Sequence, residues 1–189
     1  MSQEIEIEYK NLLTKNEYEQ LLSFFQTYRY TESTQVNHYF ETKDFSLKKH
    51  GAALRVRLKN NMYIATLKEP NPNGPGLLET HEQISKETFN NWITNNIDLP
   101  KKILMQLSDI NTKLLKYGGK LETIRMEIPY QDTLVVLDHS KYNNKEDYEL
   151  ELETTDADFG KKVFGEILAK FHIPKRDTKN KIQRFYDSI

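Results

Sequence analysis

From Glu4 to Lys10 the chain alternates: Glu4, Glu6, Glu8 and Lys10 are separated by Ile5, Ile7 and Tyr9. A period of two predicts a β-strand with one apolar and one charged face. Further strands are expected over 36–41, 53–59, 63–69, 77–84, 120–129, 133–139 and 147–154. Asn60-Asn61 predicts a hairpin turn between the third and fourth of these strands, and PNPNGPG (70–76) a loop after the fourth. Elsewhere the apolar spacing is helical. Thr14 with Glu17 three residues on makes a capping box for a helix through Tyr28, with Leu21, Leu22, Phe24 and Phe25 on its apolar side. Ser85 opens a helix carrying Phe89, Trp92 and Ile93, and Pro100 opens another with Ile103, Leu104 and Leu107. A long helix is expected over 156–172 and a short one from Thr178. Some eight strands in hairpin-like order, with helices inserted and appended, predict an α+β protein on an antiparallel sheet or barrel.

Composition narrows the function more than the fold. The 189 residues fit one domain, 1–189, without repeats or linkers. There is no cysteine, hence no disulfide framework and no thiolate ligand or nucleophile, and a reducing cytoplasm is the expected compartment. No basic-plus-apolar signal opens the chain and no apolar run approaches the roughly 18 residues of a membrane span, so no membrane association is expected. With 27 basic and 28 acidic residues the net charge is −1, which argues against a nucleic-acid binder. The charges have to be read by position.

The strand from 53 to 59 puts Arg55, Arg57 and Lys59 on one face, the next strand adds Lys68, and Arg125 shares a face with Thr123 and Glu127. YELELE (148–153) puts Glu149, Glu151 and Glu153 opposite Tyr148, Leu150 and Leu152. One such face is ordinarily solvated. Three glutamates at alternate positions are different, because they repel one another and glutamate is a poor strand former. Two such triplets, on the first and last strands, suit oxygen ligation of divalent cations, while the arginines and Lys68 suit phosphate oxygens. A closed sheet would put both sets in one cavity and the apolar alternates under the helices. There is no P-loop and no HExxH, and His38, His50, His81, His139 and His172 are expected at the surface or in packing. Trp92 is expected in the core.

Glu6-Ile7-Glu8-Tyr9-Lys10 resembles the ExExK signature of the CYTH family, the triphosphate tunnel metalloenzymes. It is followed in order by VNHYFET (36–42), GAALRVRL (51–58), TLK (66–68), Arg125, VVLD (135–138), YELELE (148–153) and NKIQR (180–184), which resemble successive segments of that family. The resemblance implies an eight-stranded antiparallel tunnel with helices outside. It implies Glu6, Glu8, Asp138, Glu149, Glu151 and Glu153 as ligands of Mg2+ or Mn2+. It further implies that Lys10, Arg55, Arg57, Lys68, Arg125, Lys181 and Arg184 hold phosphates, with Lys10 also the candidate catalytic residue.

The implied activity is metal-dependent hydrolysis of a triphosphate, inorganic triphosphate in the first place, because no base-reading group stands out. Thiamine triphosphatase, adenylate cyclase and a non-catalytic polyphosphate or nucleotide binder are the alternatives. The expected partner is a small anion of these kinds; a homodimer is left open. The chain departs from the family pattern at Glu41, where aspartate is usual at the tunnel mouth, and at Asn180, where serine is usual. LLETHEQI (77–84) lacks an accompanying arginine, leaving Glu79 and His81 without an assigned role.

Overall fold

The computed structural model describes residues 2–189. The chain begins β1 (Ser2–Leu13), α1 (Lys15–Phe25), β2 (Thr31–Thr42), α2 (Ser46–Lys49), β3 (Ala53–Lys59), β4 (Met62–Pro70) and β5 (Leu77–Ile84). It continues with α3 (Lys86–Ile93), α4 (Lys101–Gln106), a short 3-10 turn (Thr112–Leu114), β6 (Leu115–Tyr130) and β7 (Thr133–Tyr142), and ends β8 (Lys145–Thr154), α5 (Ala157–Lys170) and α6 (Lys181–Tyr186). The strands hydrogen-bond in the order β1-β5-β4-β3-β2-β6-β7-β8 and close an antiparallel barrel. This is the α+β barrel that the alternation predicts.

Three strand pairs are joined by two-residue turns in which both residues have positive φ. They are Asn60 and Asn61 (50° and 60°), Gln131 and Asp132 (47° and 56°), and Asn143 and Asn144 (46° and 59°). Positive φ at both positions is type I′ geometry, whose twist matches that of the flanking strands. The turns set Lys59 opposite Met62, Tyr130 opposite Thr133 and Tyr142 opposite Lys145. A slip by one residue would carry every charge to the other face.

Two compact units make up the chain: the segments up to Ile5 and Val36–Leu121 form the first, and Glu6–Gln35 with Glu122–Ile189 the second. In the first, Phe40, Leu54, Val56, Ala65 and Leu67 of the strands pack with Leu47 of α2, Phe89 and Trp92 of α3 and Ile103 of α4. Trp92 is fully buried, lies edge-on to Phe40 and donates its indole N–H to the Asp98 carbonyl, so it is a packing residue. In the second, Met126, Ile128, Val135, Leu137, Leu150 and Leu152 pack against Tyr18, Leu21 and Phe25 of α1 and Val163, Phe164, Ile167 and Leu168 of α5. The apolar alternates of the strands therefore lie under helices. Burial of each such side chain stabilises by about 1.5 to 3 kcal/mol, which anchors the opposite, charged face.

The helix starts follow the chain's cap residues. Glu17 N–H donates to Thr14 Oγ1 and Thr14 N–H to Glu17 Oε2, closing the capping box. Arg176 clamps the same Glu17 with both terminal nitrogens at 2.8 and 2.9 Å, tying the segment after α5 to the start of α1. Ser85 and Asp156 cap α3 and α5. Glu41 is buried, and its carboxylate accepts the N–H groups of Thr42, Leu47 and Lys48, which seats α2 within the polar stretch 42–51. Several boundaries depart from the periodicity, among them the end of β7 at Tyr142 rather than His139 and the start of α6 at Lys181 rather than Thr178. Helix α1 ends at Phe25 rather than Tyr28, β2 begins at Thr31 rather than Val36, and β6 begins at Leu115 rather than Lys120. Among the described residues, no helix is long and apolar enough to cross a membrane.

Candidate metal and phosphate site

Strand β8 directs Asp147, Glu149, Glu151 and Glu153 to the face opposite Leu150 and Leu152, which lie in the core. Its neighbours bring more charge. On β1, Glu8 stands opposite Glu153 and Lys10 opposite Glu151; on β7, Asp138 stands opposite Glu149. Like charges directly across a ladder repel, and the relief is supplied by three bases. Arg125, opposite Asp138 on β6, donates Nε and Nη2 to the two Asp138 oxygens at 2.8 and 2.7 Å, and Nη2 also reaches Glu151 Oε2 at 2.6 Å. The other two come from α6, whose residues three apart share a face. Lys181 pairs with Asp138 and donates to Glu151 Oε1 at 3.1 Å; Arg184 pairs with Glu149 and donates Nε to Asp147 Oδ2 at 2.9 Å.

These contacts divide the carboxyl groups. Burial alone would raise Asp138, yet Arg125 and Lys181 hold it below its ordinary value. Burial works the same way on Glu151, which Lys181, Arg125 and Lys10 hold well below. Glu149 is raised, chiefly by burial, and its Oε1 is buried without a hydrogen-bond partner among the described residues. Glu153 is pushed up to about 7 by burial, with Glu6, Glu151 and Glu8 adding to the rise against Arg125. Lys181 and Arg184 rise because neighbouring acids outweigh the cost of burying a cation. Lys10 pairs with Glu8 at 2.5 Å. The set holds seven carboxyl groups (Glu6, Glu8, Asp138, Asp147, Glu149, Glu151 and Glu153) against four bases (Lys10, Arg125, Lys181 and Arg184).

That acid excess, the all-oxygen donors and the unpartnered Glu149 oxygen fit hard divalent cations such as Mg2+ and Mn2+. The second unit thus assembles Glu6, Glu8, Lys10, Arg125, Asp138, Glu149, Glu151, Glu153, Lys181 and Arg184.

Arg55, Arg57 and Lys68 belong to the first unit, where the balance is reversed. Lys68 stands opposite Glu79 and pairs with it, and Arg55 Nη2 lies 3.8 Å from Glu79 Oε2. Arg55 Nε is buried without a hydrogen-bond partner among the described residues, a donor suited to an anion. Arg57 donates Nε to Asn37 Oδ1 at 2.9 Å. Glu4, Glu79 and His81 each bring a ligand atom within 4.8 Å of the others, but Lys68 and Arg55 already neutralise Glu79.

Asp147 was readable from sequence, since it extends the Glu149–Glu153 alternation by one step. The roles of Glu79 and His81 were not, because their partners lie on another strand.

A closed eight-stranded antiparallel barrel with charged alternate positions defines the fold class, and the comparisons with known proteins give the family. The CYTH domain family model matches residues 4–186, and the chain belongs to that family. It is 47% identical over 187 residues to YjbK of Bacillus subtilis (strain 168), which is provisionally named a triphosphatase; the match covers 99% of this chain and 97% of that one. A crystal structure of a Bacillus halodurans protein, provisionally described as an adenylate cyclase, superposes with a TM-score of 0.90 at 40% identity, covering 98% of this chain and all of that one. A Hippeastrum protein, provisionally named an adenylyl cyclase and described as revealing a dominant triphosphatase activity, shares the fold at a TM-score of 0.77 and 21% identity, covering 97% of this chain and 96% of that one.

Proposed function

We propose that the chain hydrolyses a linear triphosphate, inorganic triphosphate in preference to ATP or thiamine triphosphate, giving pyrophosphate and phosphate. Mg2+ or Mn2+ is held by Glu6, Glu8, Asp138, Glu149, Glu151 and Glu153, and phosphate oxygens by Lys10, Arg55, Arg57, Lys68, Arg125, Lys181 and Arg184. The observation that carries this reading is the acid set of β8, which pairs with the buried Arg125 and the half-buried Lys181 and Arg184 and still leaves Glu149 Oε1 without a hydrogen-bond partner among the described residues. The 47% identity to a protein provisionally named a triphosphatase supports it.

The chemistry needed is charge neutralisation and alignment, since phosphoryl transfer asks for little covalent help. A bound divalent cation supplies charge neutralisation and a coordinated water of lowered pKa. The protein's share is positional. Arg125, gripped at two oxygens by Asp138, is held with part of its guanidinium fork fixed before substrate arrives. Lys10 is half-buried beside Glu8 and opposite Glu151, where it meets the charge that develops as water adds to the terminal phosphorus and the bridging P–O bond breaks.

Phosphate release from inorganic triphosphate, ATP and thiamine triphosphate, with Mg2+ or Mn2+ and with chelator, tests the reading. Metal-dependent release is expected, highest in kcat/KM for inorganic triphosphate, and lost in Glu8→Gln. No metal-dependent release from any of them removes the reading. A tenfold advantage of another substrate, about 1.4 kcal/mol of transition-state binding, reassigns the substrate. The cyclase description of the Bacillus halodurans neighbour gives a second reading, and cyclic AMP among the ATP products would establish it.

A further inference from the structure

We infer that His81 is a positioning residue: it fixes Glu79, and through Glu79 the bases Lys68 and Arg55. The inference rests on the triphosphate reading, because it concerns bases assigned there to phosphate. His81 engages both ring nitrogens. Nδ1 lies 3.0 Å from Oγ1 of Thr66, a buried residue directly opposite it on β4. Nε2 lies 3.0 Å from Glu4 Oε1 and 3.4 Å from Glu79 Oε2. Carboxylates only accept, so Nε2 carries a hydrogen, and in the neutral ring Nδ1 accepts from the Thr66 hydroxyl. Bonds at both ends leave the ring no free rotation.

The held group is Glu79, 3% exposed, whose side chain has three rotatable bonds. With His81 at Oε2 and Lys68 at Oε1 its carboxylate plane is set, and Oε2 faces Arg55 Nη2. Glu4 continues the Glu4-Glu6-Glu8 alternation, yet it is turned to His81; it is two-thirds exposed, so its pull on the shared hydrogen is screened by water. The hydrogen bond to Glu4 and the one to Thr66 hold the ring, and the held Nε2 then stands 3.4 Å from the buried Glu79 Oε2. The consequence is pre-organisation: Lys68 and Arg55 wait in place for an anion, and less side-chain ordering is left to oppose binding.

Asparagine and glutamine divide the two functions of the ring, since an Asn amide falls near Nδ1 and a Gln amide near Nε2. Binding of inorganic triphosphate without metal is measured by calorimetry for wild type, His81→Ala, His81→Asn and His81→Gln. The Ala and Asn variants should bind about tenfold more weakly and Gln within about threefold of wild type, an ordering-cost effect. In turnover with Mg2+ the loss should appear in KM, with kcat within about twofold. Side-chain NMR of the Lys68 ammonium is a readout independent of substrate, with a signal expected in wild type and Gln and lost in Ala and Asn.

Wild-type affinity in His81→Ala, equal losses in Asn and Gln, or an unchanged Lys68 signal in His81→Ala each overturn the inference. Should wild type neither bind triphosphate nor release phosphate from it when Mg2+ or Mn2+ is present, the functional reading fails, and the Lys68 signal alone decides the role of His81.

Discussion

Individual side chains in this protein are tuned by what surrounds them, and His38 shows it away from the charged set. Its Nδ1 lies 2.9 Å from the Tyr117 hydroxyl and its ring sits edge-on to Phe89 at 4.7 Å. Burial first, and Lys120 second, push it down to about 4. The free residue titrates near 6.5, so between these values the unfolded chain takes up a proton that the folded chain refuses. The contribution of His38 is complete above about pH 6.5 and is lost progressively as the pH falls toward 4. His38→Gln should therefore narrow its stability deficit against wild type as the pH drops from 7 to 4, measured as urea midpoints at each pH. A difference that stays constant across that range would show that the imidazole does not titrate as described.

At the scale of the element, β8 combines a core face with an acid face, and the second costs stability. Glu153, opposite Glu8, is raised to about 7. A carboxyl raised on folding contributes most below its free value near 4.5, and that contribution disappears as the pH rises through 7. Without divalent cations, the thermal midpoint of wild type should fall between pH 4.5 and 7 relative to Glu153→Gln. Mg2+ or Mn2+ at pH 7 should raise wild type more than the variant. If the two proteins keep parallel profiles and respond equally to metal, β8 does not carry the excess charge.

Alternation made β3 and β5 legible to the residue and placed the acids of β8 together, because a two-residue period needs no knowledge of partners. The start of β2 was hidden because Gln35 and Asn37 are buried polar residues, and β6 because Gly118 and Gly119 interrupt its pattern. The Gln131-Asp132 turn carries no glycine or asparagine to announce positive φ. The union of Glu79 with Lys68 and Arg55 required strand order, which no local pattern contains.

For the molecule as a whole, stability and function pull against each other. Crowded like charges are tolerated where ligands compensate them. Binding to the folded state alone, at 100 times Kd, contributes about 2.7 kcal/mol, or roughly 5 to 10 °C for a chain of this size. Inorganic triphosphate with Mg2+ should therefore raise Tm by that order in a thermal scan, and sodium sulfate at matched ionic strength by much less; equal shifts would mark nonspecific anion binding.

The position of α6 has a further consequence, in the order of synthesis. Lys181 follows Asp138 by 43 residues and Glu151 by 30, and Arg184 follows Glu149 by 35. On the ribosome the acids of β7 and β8 are thus made after Arg125 and Lys10 but before Lys181 and Arg184, the two cations that α6 contributes. A nascent chain that has released β8 but not α6 has Arg125 to set against Asp138 and Glu151, while Asp147 and Glu149 still lack Arg184. The full charge balance of this part of the protein therefore waits for the few residues of α6.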